Sequence, residues 1–575
     1  MGAAGGMAGE GGRPRNPLEL TRGHGQNPRS HVSGGGRVYD VELSHACFPA
    51  QADQPILATT VGGILRAQCA RTPDADALVE LGIDGAIGRR WTYAELLADA
   101  ERLARALLSR FRPGERICIW APNAPEWVLV EYAAGLAGLT LVTANPAYQE
   151  RELRYVLEQS EAVALFLVRE HRGNPMAEIA ARATASIRAI REVTDLEDRG
   201  ALFAGEDRQQ ELPTVAPEQP VQIQYTSGTT GFPKGVVLHH RGLTNNARLY
   251  SARLGVEEGC TALNFMPLFH TAGCGMMTLG AAQFGCRMIL ARLFDPSALL
   301  DAIEAERVAY AIGVPTMLIG LAEAQATRPR DVSSLARMVS GGAMVPPELV
   351  RRIRDVFGCN LQTVYAQTES SPVMTQTWPD DPLEDLMETV GQPLPQTGVS
   401  IRDPRSRAVV PVGAVGEICA RGYGVMIGYN DDPEATASAI DADGWLRTGD
   451  LGSMDSRGYV RITGRVKDMI IRGGENLFPV EIENVLLEHS AVAEVAVVGI
   501  PDERWGEKVG CFLRLVPGVP VDRGALVEHC RTRIAAHKTP AHWIEVAAWP
   551  LTGSGKIQKF LLRERFLDGE YQEIR

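Results

Sequence analysis

The chain lacks the markers of several protein classes. Its ten cysteines in 575 residues include no C-x-x-C pair and no metal-ligand spacing. That excludes a zinc ribbon or a disulfide scaffold and points to small buried thiols of a reduced, intracellular protein. No apolar run reaches the roughly 20 residues that cross a bilayer, so no transmembrane segment is expected. Basic charge is not in excess: 58 Lys and Arg stand against 70 Asp and Glu, a formal net charge of −12. This argues against a nucleic-acid partner, because neutralising phosphates takes surplus Lys and Arg. There is no secretory apolar core, and the start Met-Gly-Ala-Ala-Gly-Gly lacks the Ser or Thr of a myristoylation signal. The first 55 residues offer little to bury. They are glycine-rich, and Arg13, Arg15, Arg22, Arg29 and Arg37 outnumber the acids. Residues 1–55 are therefore expected to be a disordered extension. Apolar residues there are too few for the amphipathic helix of a transit peptide, so the cytoplasm is preferred over the mitochondrion.

What is present is ordinary globular material, 45% hydrophobic and 22% charged, in a chain long enough for more than one domain. The stretch that organises it is residues 225–235, Tyr-Thr-Ser-Gly-Thr-Thr-Gly-Phe-Pro-Lys-Gly. Glycines let backbone N–H groups turn inward around an anion. Thr226, Ser227, Thr229 and Thr230 add hydroxyls and Lys234 a positive charge. The composition is that of a phosphate cradle. It is not a Walker A loop, in which Ser or Thr follows the lysine; here Gly235 does. Apolar runs at 221–225 and 236–238 place the cradle between two strands.

Along the chain, strand and helix patterns alternate. Val61, Ile64, Leu65 and Cys69 have helical spacing, 78–81 reads as a strand, and Thr92 with Glu95 forms a capping box before a helix. A buried strand at 116–120, a helix carrying Trp127, Val130 and Ala134, and a strand at 139–142 follow. This is an α/β pattern with parallel pairing. A helix is expected over 239–254. Strands are expected at 309–316, running into a turn, and near 338 and 361–365. From Lys467 a small α+β unit of about 110 residues begins, within the usual domain size. It has a helix started by Pro479, strands at 492–500 and 508–516, a helix over 523–534 and a strand at 543–547.

The 225–235 stretch resembles the signature loop of the adenylate-forming enzymes, which include acyl- and aryl-CoA synthetases, peptide-synthetase adenylation domains and luciferases. Other stretches similar to that family stand in order from about Thr60 to Phe566: the Phe269-His270 pair, Ser-Gly-Gly-Ala at 340–343, Tyr-Ala-Gln-Thr-Glu at 365–369, Thr-Gly-Asp at 448–450, Gly-Arg-Val-Lys at 464–467 and Gly-Ser-Gly-Lys at 553–556. The resemblance implies an α/β fold: a large N-terminal domain of β-sheets packed with helices, here 56–466, plus a small mobile α+β C-terminal lid, here 467–575. It implies an AMP-forming reaction in which a carboxylate attacks the α-phosphate of MgATP and a thiol then attacks the acyl-adenylate, with CoA as co-substrate. It assigns ATP binding to Thr226, Ser227, Gly228, Thr229, Thr230, Gly231, Lys234, Gly342, Ala343, Tyr365, Ala366, Thr368, Asp450, Arg465 and Lys556. The family pattern has Gly where this chain has Ala366.

Each assignment has a physical warrant. An aromatic face such as Tyr365 stacks on adenine, Glu369 holds Mg²⁺, and the two oxygens of Asp450 accept both ribose hydroxyls. The resemblance implies that His270 touches the substrate carboxylate. Thr368 bonds a phosphate oxygen, and Lys556 bridges carboxylate and α-phosphate. Lys467 is the implied hinge, with Gly473 and Gly474 along the CoA path. No acid follows Phe269-His270 in sequence, so a substrate ammonium group lacks a partner there. That leaves an acid with an uncharged tail; Thr-Glu-Ser-Ser-Pro at 368–372 and Lys-Asp-Met-Ile-Ile-Arg-Gly-Gly-Glu-Asn at 467–476 resemble the fatty-acyl-CoA synthetases, especially the medium-chain type, which implies a medium- to long-chain fatty acid. Aryl acids, a carrier-protein thiol as acceptor, a luciferase-like oxygenase and a non-catalytic nucleotide binder are the alternatives; intact Lys556, Glu369 and Asp450 speak against the last. Both monomer and homodimer are compatible with the sequence.

Overall fold

The computed structural model describes residues 38–226, 233–473, 475–516, 518–519, 522–550 and 557–574. Among these residues four sheets form, three before residue 466 and one after it. The largest runs Gln392–Pro393, Val373–Gln376, Leu361–Ala366, Arg337–Ser340, Tyr310–Ile312, Thr261–Asn264, Arg287–Ala291, Asp76–Leu81 and Ile87–Thr92. Its six central strands are parallel and its flanks antiparallel. The second sheet runs Gly428–Tyr429, Lys234–His239, Pro220–Thr226, Thr140–Ala144, Arg116–Trp120, Ala164–Leu167 and Glu192–Asp195. The third, Cys47–Phe48, Thr397–Arg402, Gly416–Gly422, Leu446–Met454 and Val460–Arg465, is wholly antiparallel. Beyond residue 469, Glu475–Leu477, Ile470–Arg472, Gly506–Leu515, Val492–Asp502 and His542–Glu545 form a sheet of their own.

Local chemistry accounts for the elements that the sequence announces. Thr92 and Glu95 exchange their capping hydrogen bonds at the start of helix Tyr93–Leu108. Helix Pro125–Ala137 begins with Pro in its first turn and is buried along its whole length. Its acids are paired inside: Glu126 takes Arg89 at 2.5 and 3.0 Å, and Glu131 accepts from Gln222 Nε2 at 2.7 Å. The expected turn after Ile312 is instead the first turn of helix Pro315–Thr327, because Pro315 sits at the position that tolerates a missing N–H.

The reading of residues 1–55 as a disordered extension is corrected over 38–55. Cys47–Phe48 pairs antiparallel with Val399 and Ser400, and Phe48 is buried. The buried Arg253 guanidinium lies 3.7 Å from the Trp378 ring centroid and 5.1 Å from that of Tyr39, and donates to the carbonyls of Gln376, Gln392 and Pro393. Two aromatics suffice to attach this segment; averaging composition over the glycine-rich stretch before it concealed them. Residues 1–37 lie outside the described residues.

His240 opens helix His240–Leu254, fully buried, and its Nδ1 accepts from Val61 N–H at 3.1 Å. Burial pushes its imidazole down to about 3, so it is neutral in the fold. The unfolded chain takes up a proton below about 6.5, so this stability is present above that pH and is lost as pH falls. Between pH 7 and 5 the loss is about 2 kcal/mol. His240→Asn keeps an acceptor for Val61 without titrating. Urea unfolding at the two pH values is expected to show the variant losing about 2 kcal/mol less than the parent.

Candidate active site

The candidate residues sit where the parallel strands end. Thr226 closes strand Pro220–Thr226, and its antiparallel partner is Lys234 at the start of the next strand. The two strands expected on either side of the cradle are therefore present, and they pair antiparallel. Ser227, Gly228, Thr229, Thr230 and Gly231 lie outside the described residues, as do Gly474 and Lys556. In the largest sheet, strand Thr261–Asn264 leads to Phe269 and His270, Arg337–Ser340 to Gly342 and Ala343, and Leu361–Ala366 to Thr368 and Glu369. Carboxyl ends of parallel strands are where open α/β sheets place their ligands.

Two bridges join the sheets at this edge. Lys234 Nζ lies 4.9 Å from the centre of the Tyr429 ring, and Tyr429 Oη donates to Glu369 Oε1 at 3.0 Å. Thr143 Oγ1 donates to the Phe269 carbonyl at 2.9 Å. The structure thus brings Lys234 and Glu369 to one site through Tyr429, which sequence reasoning missed. Tyr429 belongs to a two-residue strand pairing with Lys234–His239, too short to leave a periodic signal. Burial pushes the Glu369 carboxyl above the ordinary carboxylate range, while the Tyr429 hydrogen bond pulls it back.

Tyr365, Ala366 and Asp450 meet at the inner end. The pairing of Leu361–Ala366 with Val373–Gln376 shifts register between Tyr365 and Ala366, a bulge that re-aims the chain. Tyr365 is buried and its hydroxyl donates to Asp450 Oδ2 at 2.8 Å; Gln367 Nε2 donates to the same oxygen at 2.7 Å. Arg465 Nε lies 3.1 Å from Asp450 Oδ1, across the strand pair that sets the two residues opposite each other. Gln367 is the second residue that the sequence did not single out. Lys467 lies in a single turn, Val466–Asp468, between the last strand of the third sheet and the first of the fourth. Burial and the neighbouring Arg465 lower its ammonium.

The pair Phe269–His270, with ring centres 4.4 Å apart, heads a buried π-helix, Ala272–Leu279. Asn123 fixes the approach by donating to Met266 and Ala291 carbonyls and accepting from Leu268 N–H. Gly273 is required by close approach, since a Cβ there would meet the Pro267 carbonyl oxygen at 2.3 Å. Behind the π-helix, Cys274 Sγ receives Gln224 Nε2 at 3.2 Å and lies 3.5 Å from Gln222 Oε1, which links on to Glu131. An acid therefore does stand near this segment, supplied from a distant helix. Burial pushes its carboxyl well above the usual carboxylate range, while the Gln222 hydrogen bond pulls it back.

Comparison with known proteins matches residues 65–430 to the family of AMP-binding enzymes and 481–556 to the AMP-binding enzyme C-terminal domain. The chain belongs to this family. The AMP-binding enzyme resembles the mitochondrial medium-chain acyl-CoA ligase ACSF2 of Macaca fascicularis, at 35% identity over 544 residues covering 89% of this chain and 87% of the relative. Its fold superposes on ATP-bound MatB from Rhodopseudomonas palustris with TM-score 0.80 and 28% identity, covering 89% and 99% of the two chains. It also superposes on o-succinylbenzoate CoA synthetase MenE of Bacillus subtilis in complex with the acyl-adenylate, with TM-score 0.78 and 29% identity, covering 89% and 99%. The AMP-binding enzyme described here is an AMP-forming acid–CoA ligase of α/β fold with a large N-terminal and a small C-terminal domain. No helix among its described residues is long and apolar enough to cross a membrane.

Tyr429→Phe keeps the ring under Lys234 but removes the hydroxyl from Glu369. That hydrogen bond draws the Glu369 carboxyl back toward the ionised form that a Mg²⁺ needs, so KM for MgATP is expected to rise in steady-state pyrophosphate assays. An unchanged KM removes Tyr429 from the site.

Proposed function

We propose that this enzyme activates a medium- to long-chain fatty acid as acyl-AMP and passes the acyl group to CoA. The observations that support the reading are the Tyr429 ring and hydroxyl linking Lys234 to Glu369, the Asp450 carboxylate near enough to act on the Glu369 charge, and His270 heading a buried apolar segment. Carboxylate and α-phosphate repel each other, so their approach needs positive charge at both. Lys556 is assigned to bridge them. Lys234, with Thr226, Ser227, Gly228, Thr229, Thr230 and Gly231, is assigned to the outer phosphates. Thr368 bonds a phosphate oxygen, and His270 orients the acid. Asp450 takes the ribose hydroxyls and Arg465 the ribose–phosphate side, while Tyr365, Ala366, Gly342 and Ala343 flank adenine.

Glu369 fits a Mg²⁺ that arrives with ATP. Its carboxyl is partly buried, accepts from the neutral Tyr429 hydroxyl and from backbone N–H, and gains from a cation. Mg²⁺ typically takes one or two protein carboxylates and completes its shell with phosphates and water. When bound, the ion would neutralise charge on the outer phosphates.

The apolar side chains Met276, Met277 and Leu279 support an uncharged acyl tail. The likeness to the o-succinylbenzoate enzyme favours an aryl acid as the second reading. We propose the boundaries 56–466 and 467–575 for the two domains, the second turning about Lys467 between half-reactions, with Gly473 and Gly474 along the CoA path. The cytoplasm is the proposed compartment, supported by ten free thiols, and cell fractionation decides between it and the mitochondrion.

A pyrophosphate-release screen over fatty, aryl and amino acids, with CoA or a carrier-protein thiol as acceptor, tests the reading. Turnover is expected with medium- and long-chain fatty acids and CoA. Turnover with amino acids but not fatty acids overturns it.

A further inference from the structure

We propose that Cys260 and Cys286 form a reversible disulfide on exposure to peroxide, a thiol-modification site that closes the ends of the segment carrying Phe269 and His270. Their Sγ atoms lie 3.2 Å apart. Each cysteine immediately precedes a strand, Thr261–Asn264 and Arg287–Ala291, and these strands are parallel neighbours with Thr261 opposite Arg287. Adjacent strands lie about 5 Å apart, inside the Cα separation that a disulfide spans. The pair is held in place from both sides. Arg287 N–H donates to the Cys260 carbonyl at 2.9 Å, Cys286 N–H to Ala281 at 2.9 Å, and Tyr93 Oη to the Cys286 carbonyl at 2.9 Å.

The two thiols are unequal. Cys260 is half-buried, whereas Cys286 is fully buried. The contact between the two thiols lowers Cys260 and raises Cys286. Cys260 is thus the thiol that peroxide reaches and the one that attacks it. The Cys260 thiolate displaces hydroxide from hydrogen peroxide and becomes a sulfenic acid. Cys286 then attacks that sulfur, the S–O bond breaks, and water leaves. Two thiols and one peroxide give one disulfide and two waters. In a reducing compartment the bridge stays open until oxidant rises.

The bridge sits at the amino ends of its strands, away from the carboxyl ends that bear Glu369 and the nucleotide residues. It encloses residues 260–286, including the π-helix. The test oxidises folded protein with stoichiometric hydrogen peroxide, alkylates the remaining thiols and maps peptides without reductant. Expected is one cross-link joining Cys260 and Cys286, lighter by two hydrogens than the separate peptides and reversed by dithiothreitol. The oxidised protein is expected to show slower thermolysin cleavage within 261–285, a thermal midpoint raised by about 3 °C, and an unchanged ATP dissociation constant. Cys260→Ser and Cys286→Ser each abolish the cross-link, whereas Cys69→Ser, at another partly exposed thiol, leaves it. Because Cys260 is not fully buried, its variant is the one that tests the pair if Cys286→Ser folds poorly. Conversion of Cys260 to a sulfinic acid with Cys286 still free, or a cross-link between other cysteines, overturns the proposal.

Discussion

Lys556→Ala is expected to lower acyl-adenylate formation by at least about a hundredfold, the cost of removing one electrostatic contact to a developing charge. The same variant is expected to convert supplied acyl-AMP and CoA to thioester and AMP. The split follows from a conflict of access. During adenylation the ammonium group must bridge the carboxylate and the α-phosphate. The CoA thiol must later reach the same carbonyl carbon, and one approach cannot hold both. Between the third sheet and the C-terminal sheet the chain passes through the single turn Val466–Asp468, where Lys467 would serve as the pivot. Lys467→Pro, which restricts φ and removes an N–H, is expected to keep adenylation and lose thioester formation. Gly473 is a poorer probe. Its φ of +61° and the 2.9 Å approach of Trp505 to any Cβ give it a structural reason to be glycine that is independent of the CoA path. Single-turnover assays of each half-reaction read the result, and equal loss of both in Lys556→Ala sinks the turning-domain mechanism.

Asp450→Ala is expected to raise the ATP dissociation constant about tenfold to a hundredfold, since losing a hydrogen bond to a charged group costs about 1.5–3 kcal/mol. Three donors converge on this carboxylate: the Tyr365 hydroxyl, the Gln367 amide and Arg465. The variant therefore also leaves the buried Tyr365 hydroxyl without its acceptor. Asp450→Asn separates the two effects. It retains one oxygen for Tyr365 or Gln367 but lacks the charge facing Arg465. Its thermal midpoint without ATP is expected to lie between those of the parent and the alanine variant, with ATP binding still impaired. Equal ATP affinity in parent and alanine variant excludes Asp450 from the nucleotide site.

Much of the site's scaffold was legible because the signals are local. Apolar runs at 221–225 and 236–238 report two strands, Thr92 and Glu95 report a helix start, and Pro479 reports another; the structure contains all of them. These depend only on neighbours a few residues apart, for which chain sequence and spatial proximity coincide. Where composition was averaged over a window, the reading erred. Tyr39 and Phe48 attach a segment that the glycines before it made look unattached.

By itself the sequence determined the α/β alternation, the family and the chemical types of the candidate residues, because each is written in a contiguous motif. Only the tertiary structure decided that Tyr429 bridges Lys234 and Glu369, that Gln367 shares the Asp450 carboxylate with Tyr365, that Glu131 stands behind Cys274, and that Cys260 faces Cys286. The physical reason is that each of these pairs joins residues of different elements, far apart in sequence, and the packing and register that select such partners are encoded in no local pattern.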